Sequence, residues 1–182
     1  MSTASMHVPD ALRSYQAELD AALARPILTT WDKEESYHDA EQPAAIGKVL
    51  VDAVHTDLER ASIAYVFKEK MTTRDRVVWG KASKAGGEIE FFNGYDFVLK
   101  FNWQQWRRLS AMQRVALVDH ELAHCGQEVD DKGARKWVMV SHDIEEFSGI
   151  VRRWGLWRPD LVVFAGAVVH AHQLGLFEGS VD

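Results

Sequence analysis

The chain has 182 residues, 47% of them apolar and 26% charged, with a formal net charge of -6. That length suffices for one ordinary buried core, and four Pro with twelve Gly exclude collagen-like and Pro/Gly-rich disordered chains. A single cysteine, Cys125, excludes a disulfide framework and a cysteine-based structural zinc site, and the acidic balance speaks against nonspecific nucleic-acid binding. Short basic clusters at 107–108, 132–136 and 152–153 leave a local patch open. The longest apolar stretch, Leu161 to Val169, is far short of the ~20 residues a bilayer demands, so no membrane span is expected. The N-terminus shows no basic segment followed by an apolar run, and the expected location is the cytoplasm. Seven Trp point to a Trp-rich core, with an aromatic cleft as the alternative.

In chain order, residues 1–42 form a polar extension. Within it, Leu12, Tyr15, Leu19 and Leu23 predict a helix over 10–24, closed by Pro26 and followed by a loop. Pro43 suits a first helical position, and Ile46, Val49, Leu50, Ala53, Val54 and Leu58 predict an amphipathic helix over 43–58. The period then changes. Ile63 to Phe67 and Val77 to Ala82 read as strands, and Ala85-Gly86-Gly87 as a break. Glu88 to Phe92 reads as a short strand entering a hairpin at Asn93-Gly94, and Phe97 to Phe101 as a further strand. No linker divides residues 43–182, which are expected to form one domain.

Residues 110–126 read SAMQRVALVDHELAHCG. Ser110 with Gln113 three residues later is a capping box, Gly126 fits the left-handed position after a helix, and Met112, Val115, Leu117, Val118 and Leu122 supply an apolar face. The last turns of this helix carry His120-Glu121-Leu122-Ala123-His124, an HExxH string. Residues four apart share a helix face, so the two imidazoles can meet one cation. Glu121, one position round, can take a proton from a zinc-activated water without ligating the metal. The string also arises by chance, but here it lies on a capped, largely apolar helix that follows a run of strands.

A catalytic zinc needs a third protein ligand and an open position. A loop at 127–132 and a strand at 135–140 are expected after Gly126. Asp143 with Glu146 then signals a helix start, and Phe147, Ile150, Val151 and Trp154 give its stripe. His142, just before that helix, competes with Glu146 and Glu145 in its first turn. Imidazole is the commoner companion of two imidazoles, and helical phase ranks Glu146 above Glu145, which points nearly opposite the stripe. Both glutamates are otherwise explained by the helix dipole. Cys125 reads as a small buried residue, and Asp119 as either solvated or orienting an imidazole. Tyr65, Tyr95, Arg152 and Arg153 are eligible to stabilise an oxyanion, with nothing selecting among them. His170 and His172 read as ordinary residues of a C-terminal helix near 160–174.

With HELAHC followed by HDIEEF, the sequence resembles the phage metallopeptidases of the zincin clan. The likeness takes in Ile63 to Phe67, Val77 to Ala82, Phe97 to Leu99, Val118 to Cys125, Lys136-Trp137, His142 to Phe147 and Gly155 to Trp157, about residues 60–160. More distantly, His142 ahead of a helix bearing Phe147 is similar to the third-ligand segment of SprT-like proteases, which favours His142. The resemblance implies peptidase chemistry with Zn2+ as cofactor, His120 and His124 as ligands and Glu121 as general base. The expected fold is an α+β, zincin-like metallopeptidase domain, with a small mixed β-sheet, the HExxH helix and flanking helices. The expected partner is a protein or peptide substrate in the host cytoplasm, added in extended form to the sheet edge. The alternative is a zinc-stabilised binding or regulatory module without proteolysis. A nucleic-acid-directed peptidase is a lesser option that the net charge disfavours.

Overall fold

Leu12 and Leu19 begin the core. A 3-10 turn, Asp10–Tyr15, runs into α1 (Gln16–Leu23), and both leucines with Ala22 are buried. The computed structural model describes residues 8–74, 76–142, 156 and 159–173, and the chain divides into two compact units, 1–140 and 141–182.

In the first unit, β1 (His38–Asp39) leads into α2 (Glu41–Ala53), which buries Ile46, Val49 and Leu50. This helix starts two residues before Pro43 and ends before Leu58, which instead sits in a separate 3-10 turn, Thr56–Leu58. The strand β2 (Ile63–Lys68) follows. The single strand expected over 77–82 is divided. Residues Thr72–Thr73 (β3) and Arg76–Val77 (β4) pair as a small ribbon, and β5 begins only at Gly80 and runs to Lys84. Asn102 explains the division, because its buried side chain donates to the carbonyls of Met71 and Val78 and holds that stretch out of the ladder.

A further correction concerns 88–94. The expected strand is a helix, α3 (Gly87–Asn93), and Gly94 is its left-handed C-cap at φ 68°, donating to Glu90 O. A Gly tolerant of positive φ serves a hairpin turn and a helix end equally, so the dipeptide does not distinguish them. Strand β6 (Phe97–Asn102) is buried along nearly its whole length. It lies parallel to β2 (Ile63 opposite Phe97) and antiparallel to β5 (Ala82 opposite Leu99), giving the sheet order β1-β2-β6-β5.

A one-turn helix, α4 (Trp103–Trp106), places two buried tryptophans beneath the sheet, Trp106 against both Phe67 and Phe101. Trp106 Nε1 donates to Gln42 Oε1, as does Arg114, while Gln42 Nε2 donates to Leu23 O and Arg25 O. A buried amide with every polar group paired thus joins the end of α1, α2, α4 and the next helix, and its satisfaction removes the desolvation cost of burial. The mixed α+β character is as expected, with the parallel β2–β6 pair central.

Helix α5 (Ala111–Ala123) is followed without a loop by β7 (Cys125–Val129), which pairs with β8 (Arg135–Met139). Gly126 is therefore not a left-handed helix stop but a strand residue opposite Val138. The turn is closed by Asp130, whose Oδ1 accepts from the amides of Lys132 and Ala134, and by Gly133 at φ 78°.

In the second unit, α6 (Pro159–Gln173) starts on a proline, buries Leu161 and exposes Val162, Val163 and Phe164. Among the described residues no helix is long and apolar enough to cross a membrane. The helix expected from Asp143, with Glu145, Glu146, Arg152 and Arg153, lies outside the described residues.

Candidate metal centre

Both hydrogen bonds of the capping box are present, Gln113 N to Ser110 Oγ at 3.3 Å and Ser110 N to Gln113 Oε1 at 2.9 Å, so α5 begins where the sequence predicts. Val115, Val118 and Leu122 recur at three- and four-residue steps and are buried, which orients the helix on the core. That orientation leaves His120 exposed and His124 half-buried on a neighbouring face, with ring centroids 5.0 Å apart and planes nearly perpendicular.

His124 ends the helix, and the chain passes directly into β7. The β7–β8 ladder pairs Cys125 with Met139, so the next rung outward sets His124 against Val140. Val140 N donates to His124 O at 2.8 Å, and the His124 ring meets Val140 O through Nδ1 at 2.7 Å. A carbonyl only accepts, so Nδ1 is the donor there, and Nε2 is the nitrogen left to face a metal. His142 follows two residues after Val140. One ring nitrogen from each of His120, His124 and His142 lies within 4.8 Å of the others, so these three residues can hold a metal ion. Three imidazoles suit a borderline-soft divalent ion such as zinc.

Glu121 has a different setting. It is 3% exposed, and the cause is the approach of α5 to β5. Antiparallel pairing alternates: Asn102 N donates to Trp79 O and Ala85 N to Asp96 O, so Gly80, Ala82 and Lys84 turn their backbone groups away from β6. The Glu121 carboxylate accepts from the backbone of Ala82 on that outer edge. It also lies so close to Gly80 that a Cβ there would overlap its carboxyl group. Burial pushes the Glu121 carboxyl up to about 7, against the pull of His124 and of the Ala82 hydrogen bond. A carboxyl near 7 can both take and give a proton at neutral pH.

The neighbouring groups are settled by burial and pairing. Cys125 is buried, and its thiol is pushed up to about 12 by burial and by the nearby carboxylates of Glu121 and Asp57, which makes it an unreactive packing residue. Asp119 takes the imidazole of His55, Nε2 to Oδ1 at 2.6 Å, fastening α5 to the segment after α2. Tyr65 is held above the ordinary tyrosine range by burial, and its hydroxyl lies against Gly47 of α2. Sequence reasoning missed Gly80, Ala82 and His55. An isolated glycine in a strand does signal a close backbone approach, and that signal was present at Gly80.

A family model described as Putative phage metallopeptidase matches residues 35–168. This chain belongs to that family. The match takes in the sheet, α5, the β7–β8 hairpin and all three histidines, whereas α1 precedes it. A metallopeptidase family implies a metal cofactor, and the histidine group can hold one. No curated protein and no solved structure matches the chain.

Proposed function

We propose that the protein is a zinc-dependent peptidase of phage or prophage origin, with His120, His124 and His142 as ligands, acting on protein or peptide substrates in the host cytoplasm. The observation that carries the reading is the grouping of three imidazole nitrogens within 4.8 Å beside a buried carboxyl one residue from the first. Zinc held there supplies Lewis acidity to a peptide carbonyl and to the attacking water. Glu121 accepts the proton of that water and delivers it to the leaving nitrogen, a role suited to a carboxyl raised to about 7. The substrate is a peptide in extended form.

The test uses purified wild type and Glu121→Gln, with zinc content and cleavage of an unfolded protein substrate measured together. Glu121→Gln is expected to keep the metal and lose cleavage by about 10²–10⁴-fold. Retained cleavage in that variant overturns the mechanism, and zinc binding without cleavage in wild type favours a binding module. The ligand set is tested by zinc content in three further variants. Loss in His142→Ala with retention in Glu145→Ala and Glu146→Ala is expected. Loss confined to Glu146→Ala replaces His142 with that glutamate.

A further inference from the structure

We infer that Gly80 and Ala82, on the outer edge of β5, are positioning residues that form a backbone seat for the Glu121 side chain. The inference rests on the peptidase reading for its catalytic meaning, and on geometry alone for the seat itself.

Three observations converge. Alternation of the β5–β6 ladder turns the Ala82 N–H away from the sheet, where it would otherwise face water. That N–H is taken by Glu121, which is 3% exposed. Two residues earlier, the absence of a side chain at Gly80 supplies the space, since a Cβ would overlap Oε1, Cδ and Cγ of Glu121. Gly80 is not at positive φ, so its glycine answers to room and not to backbone conformation. A glutamate has three side-chain torsions and loses precision when left to water. Lodged against a strand that is itself paired to the buried β6, it keeps one place next to the histidines. An added methyl at 80 meets the Glu121 side chain before any imidazole and expels its terminal carboxyl.

Two measurements test this on the full chain. The first is amide hydrogen exchange in metal-free protein. Ala82 is expected to be protected in wild type and to exchange at least ~10-fold faster in both Gly80→Ala and Glu121→Ala. The amides of Lys81 and Ser83, which face β6, should not change in either variant, which shows that the strand is still in place. The second is steady-state kinetics with zinc content. Gly80→Ala is expected to lower kcat by about 100-fold with KM and bound zinc unchanged. Ala82→Pro, which replaces the outward N–H by a ring carbon on an edge strand and removes no donor to β6, should also lower kcat and spare zinc. Equal Ala82 exchange in wild type and Glu121→Ala overturns the seat, and a fully active Gly80→Ala overturns its positioning role. A wild type with a protected Ala82 that cleaves nothing overturns the peptidase reading instead.

Discussion

The two sides of the last turn of α5 are built by different means. On one side Glu121 is buried, fixed by a strand backbone and a missing side chain, and its position depends on α5 and β5 lying close together. On the other side His120 and His124 stay at the surface, placed by helical spacing and by the register of a hairpin that continues from the helix. The carboxyl proposed to handle the proton is therefore ordered by packing. The imidazoles proposed as ligands are ordered by local geometry, which aims His124 Nδ1 at the Val140 carbonyl.

Substitutions should separate the two sides. The largest effect is expected on the ligand side, from His124→Ala. Metal analysis should show zinc affinity falling by more than the ~10–100-fold that removal of an outer partner costs, while thermal unfolding of the metal-free protein changes little. Gly126→Ala comes next. A Cβ at Gly126 would overlap Val140, the residue that orients the His124 ring, and overpacking of this kind costs about 1–3 kcal/mol. Denaturant titration should show that loss, and weaker zinc binding should accompany it. Unchanged zinc affinity would show that the hairpin does not place His124.

Ser110→Ala removes the N-terminal cap of the helix that both sides share. It should cost about 1 kcal/mol, or roughly 2–4 °C in Tm for a chain of this size, with zinc affinity preserved. The smallest effect concerns Asp130 at the hairpin turn. The amides of Ala134 and Lys132 and the ammonium of Lys136 hold its carboxyl below the usual carboxylate range. A depressed folded pKa means that the turn is supported above the unfolded value, and that support is lost as pH falls through the folded one. The amide resonances of Lys132 and Ala134 should therefore titrate at a pH below the ordinary aspartate value of 3.8. Titration at or above that value would remove Asp130 as the pin of the register.

What the sequence showed and what it hid divide along the same line. The start of α5, its apolar stripe and the HExxH spacing are local, and Ser110, Gln113, His120 and His124 stand where periodicity puts them. His142 was favoured as third ligand by ligand chemistry, and it stands in the histidine group that can hold a metal ion. Gly94 and Gly126 were misread because a glycine's tolerance of many backbone shapes does not say which one is in use. One ends a helix, and the other lets a strand pass close to Val140. The seat at Gly80 and the His55–Asp119 pair needed tertiary information, since the partners lie 41 and 64 positions apart and no periodicity links them.

The parallel pairing of β2 with β6 also governs the order of assembly. Ser62 N meets the Asp96 carboxylate 34 positions along the chain, so this rung forms only after a long loop has closed. The β5–β6 pair and the β7–β8 hairpin span shorter loops and can form sooner. Until α5 docks, the outer edge of β5 is bare, with the Ala82 amide open to any passing strand. Once α5 has docked, Glu121 covers an edge that would otherwise invite aggregation, so its replacement should lower the yield of refolded protein as well as the rate of any reaction.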